Sequence, residues 1–541
     1  MVKFASLALA VSVASMVAAC NKGEASPGEA VTETTISANS TTPSTNRSAL
    51  SPHQRDSAWF SDGRQAVESA RRRPINNTRG AAKNIILFVG DGMGISTVTA
   101  ARILAGQRQG LDGEEYQLSF EKMPFAGLIK TYNTNQQTPD SAGTATALVT
   151  GVKTKAGVLS VAEDVARGDC AASLEKPLTT VLELAELRGK SSGIISTARI
   201  THATPASTYA KVPERGWESQ APQGCRDIAA QLVALEAGDG IDLIMGGGRR
   251  AFLPDSVTDL EGDKGKREDG RNLVEEWQQR YAAGAIKTAY IEDRAGFDAL
   301  DIAGTDKLLG LFNASHMHYE ADRGNDKAGE PSLSEMTAKG LKFLQKNEDG
   351  YFLLVEGGRI DHGHHAGSAY NALSDAVEFA RAVQVAMDST NPEDTLILVT
   401  ADHSHVMTIA GYPTRGNPIL GKVVANDGSG QPETAPSLAA DGLPYTTIGY
   451  GNGFGYAELG DETDADARYG HKVDAGRRDL TEVDTTSPGF HQEALVPLAS
   501  ESHGGEDVGI WASGPGAHLI SGTHEQNYVF HVMARAGGLL E

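Results

Sequence analysis

Tyr351-Phe352-Leu353-Leu354-Val355-Glu356-Gly357-Gly358-Arg359-Ile360-Asp361-His362-Gly363-His364-His365 is the stretch on which the reading of this chain turns. The unbroken apolar run Tyr351 to Val355 suits a strand buried on both faces. One carboxylate and three imidazoles follow between Asp361 and His365. Imidazole together with carboxylate suits zinc, and turn geometry after the strand is expected to let Asp361 and His365 converge on one ion. Taken alone, the run is also compatible with a solvated histidine cluster on a loop.

Similar apolar runs lie on either side. Asn84 to Val89 ends in Gly90-Asp91-Gly92-Met93-Gly94, and further runs are Ser192 to Ser196, Ile241 to Met245, Thr395 to Thr400 and Val508 to Ala512. Between them come helical patterns. Leu333, Met336, Gly340, Leu341 and Leu344 share one face, as do Ala369, Leu373, Ala376, Val377, Ala380 and Val383, and Thr180 to Leu187 is a shorter helix. Strands alternating with helices predict an α/β fold, a mostly parallel central sheet with helices on both faces. Residues 411–500 depart from this pattern. Rich in Gly, Pro, Asp and Thr, they predict a long insertion that returns the chain to His503.

The whole chain has 541 residues and a formal charge of −22. That charge argues against nucleic acid or an anionic membrane surface as the main partner. It also opposes a phosphate substrate unless the site carries its own positive charge, which metal ions would provide. Lys3 precedes an apolar run from Phe4 to Ala19 that ends in Val17-Ala18-Ala19-Cys20. This reads as an export signal over 1–19 with a bacterial lipobox and a lipid on Cys20; an ordinary signal peptide with a chance cysteine is the alternative. Residues 20–75, rich in Ser, Thr, Pro and Glu, predict a lipidated flexible tether, and 76–541 the catalytic domain. Export places the protein in the periplasm or on the outer membrane, where Cys170 and Cys225 would form one disulfide; two separate buried thiols are the other reading.

In open α/β sheets ligands gather beyond the carboxyl ends of the strands. Asp91, Glu356 with Asp361, and Asp402-His403-Ser404-His405 all follow strands there, and His503 precedes the Val508 run. Each alone reads as a capping carboxylate or a satisfied histidine; together at one sheet edge they point to a site. Thr138-Pro139-Asp140-Ser141-Ala142-Gly143-Thr144 marks a helix start. Ser141 would then sit at a helix N-terminus, where the dipole favours an oxyanion or a phosphate. By itself Ser141 reads as a cap more readily than as a nucleophile.

These motifs, with His202-Ala203-Thr204-Pro205 and His503-Gly504-Gly505-Glu506-Asp507, resemble those of alkaline phosphatase in the same order over roughly residues 80–540. The resemblance implies two zinc ions and one magnesium. One zinc would be held by Asp361, His365 and His503, and the second by Asp402, His403 and Asp91 with Ser141 as nucleophile. Magnesium would use Asp91, Thr204 and Glu356, and Arg215 would grip the phosphate. His202 and His362 stand where the enterobacterial form has Asp and Lys, and look like the animal and marine-bacterial forms. The activity implied is hydrolysis of phosphate monoesters through a phosphoserine, in a homodimer whose contacts are mediated by a crown-like 411–500 insertion. A phosphodiesterase or sulfatase of the same superfamily is the nearest rival, although Asp140-Ser141-Ala142-Gly143 lacks the sulfatase Cys-x-Pro-x-Arg pattern. A non-enzymatic zinc-binding surface module is the rival from another class.

Overall fold

A computed structural model describes residues 80–540, apart from 283 and 285, with isolated helical positions between 58 and 68. The expected leader, Cys20 and most of the expected tether lie outside the described residues. The chain separates into two units, 1–72 and 73–541, and the second holds everything described below.

Among the described residues the largest sheet has ten strands: β1 (Asn84–Gly90), β2 (Phe125–Lys130), β3 (Ser191–Arg199), β4 (Leu243–Gly247), β5 (Thr288–Ile291), β6 (Lys307–Asn313), β7 (Tyr351–Gly357), β8 (Thr395–Ala401), β9 (Val508–Ser513) and β10 (Gly522–Glu525). Their order is β10-β2-β9-β8-β1-β7-β3-β4-β6-β5. The seven strands from β8 to β5 run parallel. β9 is antiparallel to both β8 and β2, so the Val508 run is a sheet strand of reversed direction. Ile85 to Val89 and Phe352 to Val355 are fully buried, which is why these strands read as continuous apolar runs.

The helices that matter for the site are α1 (Ile95–Gln107), α2 (Ser141–Thr150), α3 (Val181–Leu187), α4 (Ala203–Ala206), α5 (Leu333–Leu344), α6 (Arg359–His365), α7 (Ala369–Ser389) and α8 (Tyr528–Ala536). α5 starts with a capping box in which Ser332 and Glu335 satisfy each other's backbone N–H, and Thr180 with Glu183 does the same for α3. α1, α5 and α6 pack on α7, whereas α2 and α3 pack on α8. Both α5 and α3 also touch β3 and β7, so the two groups cover opposite faces of the sheet.

Register sets the level of the chemistry. Val89 of β1 lies beside Glu356 of β7 and Thr400 of β8, and Gly90 lies beside Gly357 and Ala401. Asp91 and Asp402 therefore emerge at one height, with Glu356 two residues earlier on the strand between β1 and β3, all at the carboxyl edge of three adjacent strands. The insertion stands outside this sheet. Met407–Ile409, Ile448–Gly453 and Ala494–Pro497 build a separate three-stranded sheet, and a two-residue ladder then pairs His503 with His405.

Candidate active site

Asp140 organises the nucleophile end. Its extended backbone makes it the N-cap of α2, and its Oδ1 accepts from the amides of Ala142 and Gly143 at 3.2 Å each. The same oxygen accepts from Gly157 N at 2.7 Å. Ser141 is thus the first helical residue, buried, with Oγ 3.0 Å from His403 Nε2. Arg215 points Nη1 at Asp140 Oδ2 (2.7 Å), and its Nη2 lies 2.9 Å from His202 Nε2. Burial alone would lower the guanidinium pKa, but Asp140 beside it outweighs that and raises it. Burial likewise would raise Asp140, yet Arg215 and the Gly157 and Gly143 amides hold its carboxyl below the usual carboxylate range.

Three clusters of possible metal ligands surround this end. In the first, Asp361 Oδ1 lies 3.3 Å from His365 Nε2 and 3.4 Å from His503 Nε2, while the two imidazole nitrogens face each other at 3.1 Å. In the second, His403 Nε2 lies 3.4 Å from Asp91 Oδ1 and 3.3 Å from Asp402 Oδ2. The third joins Asp91, His202 and Glu356, with the Thr204 hydroxyl buried on α4. Asp361 and His365 converge by a different route from the expected turn. Arg359–His365 is helical, so their i, i+4 spacing puts both on one face.

The donor set fits divalent cations. Among the described residues both oxygens of Asp91, Thr204 Oγ1, Glu356 Oε1 and His202 Nδ1 are buried without a hydrogen-bond partner. A buried carboxylate without a partner is costly. Burial, then the charges of Asp402, Asp361 and Glu356, drives the Asp91 pKa well up. Glu356 is pushed up to about 8, first by burial, and Asp402 also rises. Burial pushes His403 well down, keeping its imidazole neutral and able to act as a ligand. Four carboxylates in a buried space beside neutral imidazoles are what bound cations would satisfy.

Every residue named from the sequence for the site, Ser141, Arg215, Asp91, Thr204, Glu356, Asp361, His365, Asp402, His403 and His503, sits in or against these clusters. Not all the histidines of the opening run join them. His364 is a core residue, with Nε2 2.9 Å from Thr97 Oγ1 and Nδ1 2.8 Å from Tyr450 OH. His362 packs at a tilt against His316 and His202, with ring centroids 4.1 and 5.6 Å away, and burial pushes its pKa to about 3. The sequence reading placed His405 at the sheet edge without giving it a role, and missed Glu501. His405 Nε2 lies 2.8 Å from Asp361 Oδ1, and its Nδ1 2.5 Å from Glu501 Oε2. Burial alone would lower this imidazole, but the two carboxylates push it up to about 10. With both nitrogens engaged, His405 holds Asp361 in place. The available signal was spacing: alternate residues of an extended segment share a face, so His403 and His405 point together. Gly92 makes room for that imidazole. Its φ is +68°, and a Cβ there would lie 2.3 Å from the His405 ring.

A family model described as alkaline phosphatase matches residues 82–539. The tissue-nonspecific alkaline phosphatase isozymes of Gallus gallus and Homo sapiens are 45% and 44% identical to this chain over 491 residues, covering 88% of this chain and 88% of each relative. Among solved structures, the alkaline phosphatase of Thermus thermophilus aligns with TM-score 0.60 at 24% identity, covering 86% of this chain and 93% of that one. That from the Antarctic bacterium TAB5 aligns at 0.56 and 22%, covering 85% and 100%. The structures share the fold, and the family match spans nearly the whole described body. This chain belongs to the alkaline phosphatase family.

Proposed function

We propose that this site hydrolyses phosphate monoesters by attack of Ser141 Oγ on phosphorus. The observation that carries the reading is the placement of the Ser141 hydroxyl at the N-terminus of α2, 3.0 Å from the His403 imidazole and next in sequence to Asp140, which holds the cationic Arg215 fork. Arg215, aimed by Asp140, binds two non-bridging phosphoryl oxygens. The positive end of the α2 dipole favours the same anion. The Ser141 oxygen gives up its proton, which ends on the departing alcohol oxygen, and forms a bond to phosphorus while the bond to the ester oxygen breaks. Water then displaces Ser141 from the phosphoserine, releasing inorganic phosphate and restoring the hydroxyl. Asp361, His365 and His503 would hold one zinc, Asp91, Asp402 and His403 a second, and Asp91, Thr204 and Glu356 a magnesium. Bound cations would neutralise the phosphate dianion, lower the hydroxyl pKa of Ser141 and stabilise the departing alcohol oxygen.

Purified protein assayed with a chromogenic monoester and its matching diester, with and without chelator, tests this together with elemental analysis. The reading expects fast monoester turnover, slow diester turnover, loss of activity on chelation, and two zinc ions with one magnesium per chain. Ser141→Ala should lose turnover and keep its metal. Equal turnover of the diester, or full activity of Ser141→Ala, would contradict it.

We also infer export with a lipid on Cys20 and assembly as a homodimer. Among the described residues no helix is long and apolar enough to cross a membrane. The bond between Cys170 and Cys225 supports an oxidising compartment. Support for a dimer comes from the insertion strand Ala494–Pro497, on which Leu495 is 83% and Val496 49% exposed. Incorporation of labelled palmitate that disappears in Cys20→Ser checks the first, and analytical ultracentrifugation the second.

A further inference from the structure

We infer that Glu218 and Arg199 are positioning residues for the phosphate clamp: their ion pair staples the loop that carries Arg215 to the end of β3 and so fixes how His202 meets the guanidinium. The inference rests on the monoester reading above and adds to it what holds the second nitrogen of the Arg215 fork.

Two chain segments are joined twice, with the same spacing on each. Arg199 is the last residue of β3, and His202 follows three residues later at the N-cap of α4. On the second segment Glu218 follows three residues after Arg215. The inner contact is Arg215 Nη2 with His202 Nε2 at 2.9 Å. A guanidinium only donates, so Nε2 is the acceptor. The outer contact is a two-pronged ion pair, Arg199 Nε to Glu218 Oε2 at 2.8 Å and Nη2 to Oε1 at 2.7 Å. Thr201, between Arg199 and His202, donates its hydroxyl to the same Oε2 at 2.5 Å. A third imidazole fills the space within. The Arg199 amide donates to His316 Nδ1 at 3.2 Å, its Nη1 contacts His316 Nε2, and the His316 ring meets His202 edge-on with centroids 5.3 Å apart. The result is a closed circuit from Arg215 through His202, His316, Arg199 and Glu218 back to the Arg215 loop.

A planar fork on a carboxylate fixes direction as well as distance. This one is sheltered, with 15% of the Arg199 and 22% of the Glu218 side chain exposed. Burial alone would raise the Glu218 pKa, but Arg199 holds the carboxyl below its usual range. The path of the loop has anchors of its own. The amides of Ile228 and Ala229 donate to Trp217 O (2.8 Å) and Glu218 O (3.1 Å), and the Arg215 amide donates to Gly157 O at 2.9 Å. Removing the Glu218 charge therefore leaves the loop in place and loosens the aim of its clamp. Glu214, on the other flank of Arg215, pairs with Arg167 in the same two-pronged way, at 2.7 and 2.9 Å, but outside the circuit and with 54% of the Arg167 side chain exposed. It serves as the control.

The test measures binding of inorganic phosphate by calorimetry on the metal-loaded full chain. Glu218→Gln should weaken it roughly three- to tenfold, part of what one hydrogen bond to a charged group contributes. Arg199→Lys, which keeps the charge and loses the fork, should act in the same direction by less. Glu214→Gln should change it less than about twofold, as an exposed pair does. In an Arg215→Ala background Glu218→Gln should add less than about twofold, because its effect passes through the clamp; a general loosening of the site would weaken phosphate alike in both backgrounds. Unchanged affinity in Glu218→Gln, or equal weakening with and without Arg215, overturns the staple. Calorimetry needs no turnover, so that result is distinct from wild-type affinity in Arg215→Ala alone, which would remove the clamp reading and the staple with it.

Discussion

Asp140 divides its two carboxylate oxygens between the nucleophile and the clamp: Oδ1 caps the helix that begins at Ser141, and Oδ2 pairs with Arg215 at 2.7 Å. One side chain thus fixes the distance between the attacking oxygen and the group that grips the phosphate.

Asp140→Asn separates the two duties. The amide oxygen can still cap α2, but the charged partner of Arg215 is gone. The expected outcome is a Ki for inorganic phosphate and a KM for monoesters raised roughly five- to twentyfold, with the melting temperature little changed, because a charge-assisted pair is worth about 1–2 kcal/mol beyond a neutral one. Inhibition constants and thermal melts check it.

His405→Ala tests the bridge between Asp361 and Glu501. Without the imidazole, two buried carboxylates lose their shared donor and Asp361 is free to turn. Loss of such an orienting partner costs about 10- to 100-fold in metal affinity. Zinc per chain, measured after dialysis, should fall, and inactivation by chelator should quicken by a similar factor. Wild-type retention of zinc would show that Asp361 is held by other means.

The disulfide closes a span of 55 residues between Cys170 and Cys225, within which lie α4 with Thr204, and Arg215. In the chain-entropy description, a loop of that length is worth up to about 4 kcal/mol. The double variant Cys170→Ala, Cys225→Ala should unfold at a clearly lower denaturant midpoint than wild type. Reductant should lower the wild-type midpoint and leave the variant unmoved.

The sequence made the centre of the fold legible and its margins much less so. β1, β7 and β8 are buried on both faces, so burial is written into them as unbroken apolar runs. β2 alternates exposed and half-buried residues, with only Ile129 buried, beside the reversed β9, β5 has only four residues, and β10 is Gly522-Thr523-His524-Glu525. Such strands are defined by their neighbours more than by their own residues. β6 carries Leu308, Leu309, Leu311 and Phe312, but Gly310 interrupts the run, and the sequence reading names no strand there. For the site, motifs brought the expected ligands to one edge because they follow strands or begin helices. The role of His405, and Glu501 altogether, escaped because both depend on the antiparallel pairing of His503 with His405, a contact between segments 98 residues apart that no local pattern announces.

The most direct test of Ser141 as nucleophile is peptide mapping of the enzyme after acid quench during turnover of a phosphorus-labelled monoester. The account predicts label on the peptide containing Ser141 and on no other, absent in Ser141→Ala. Label on a different residue, or none while turnover proceeds, would contradict it.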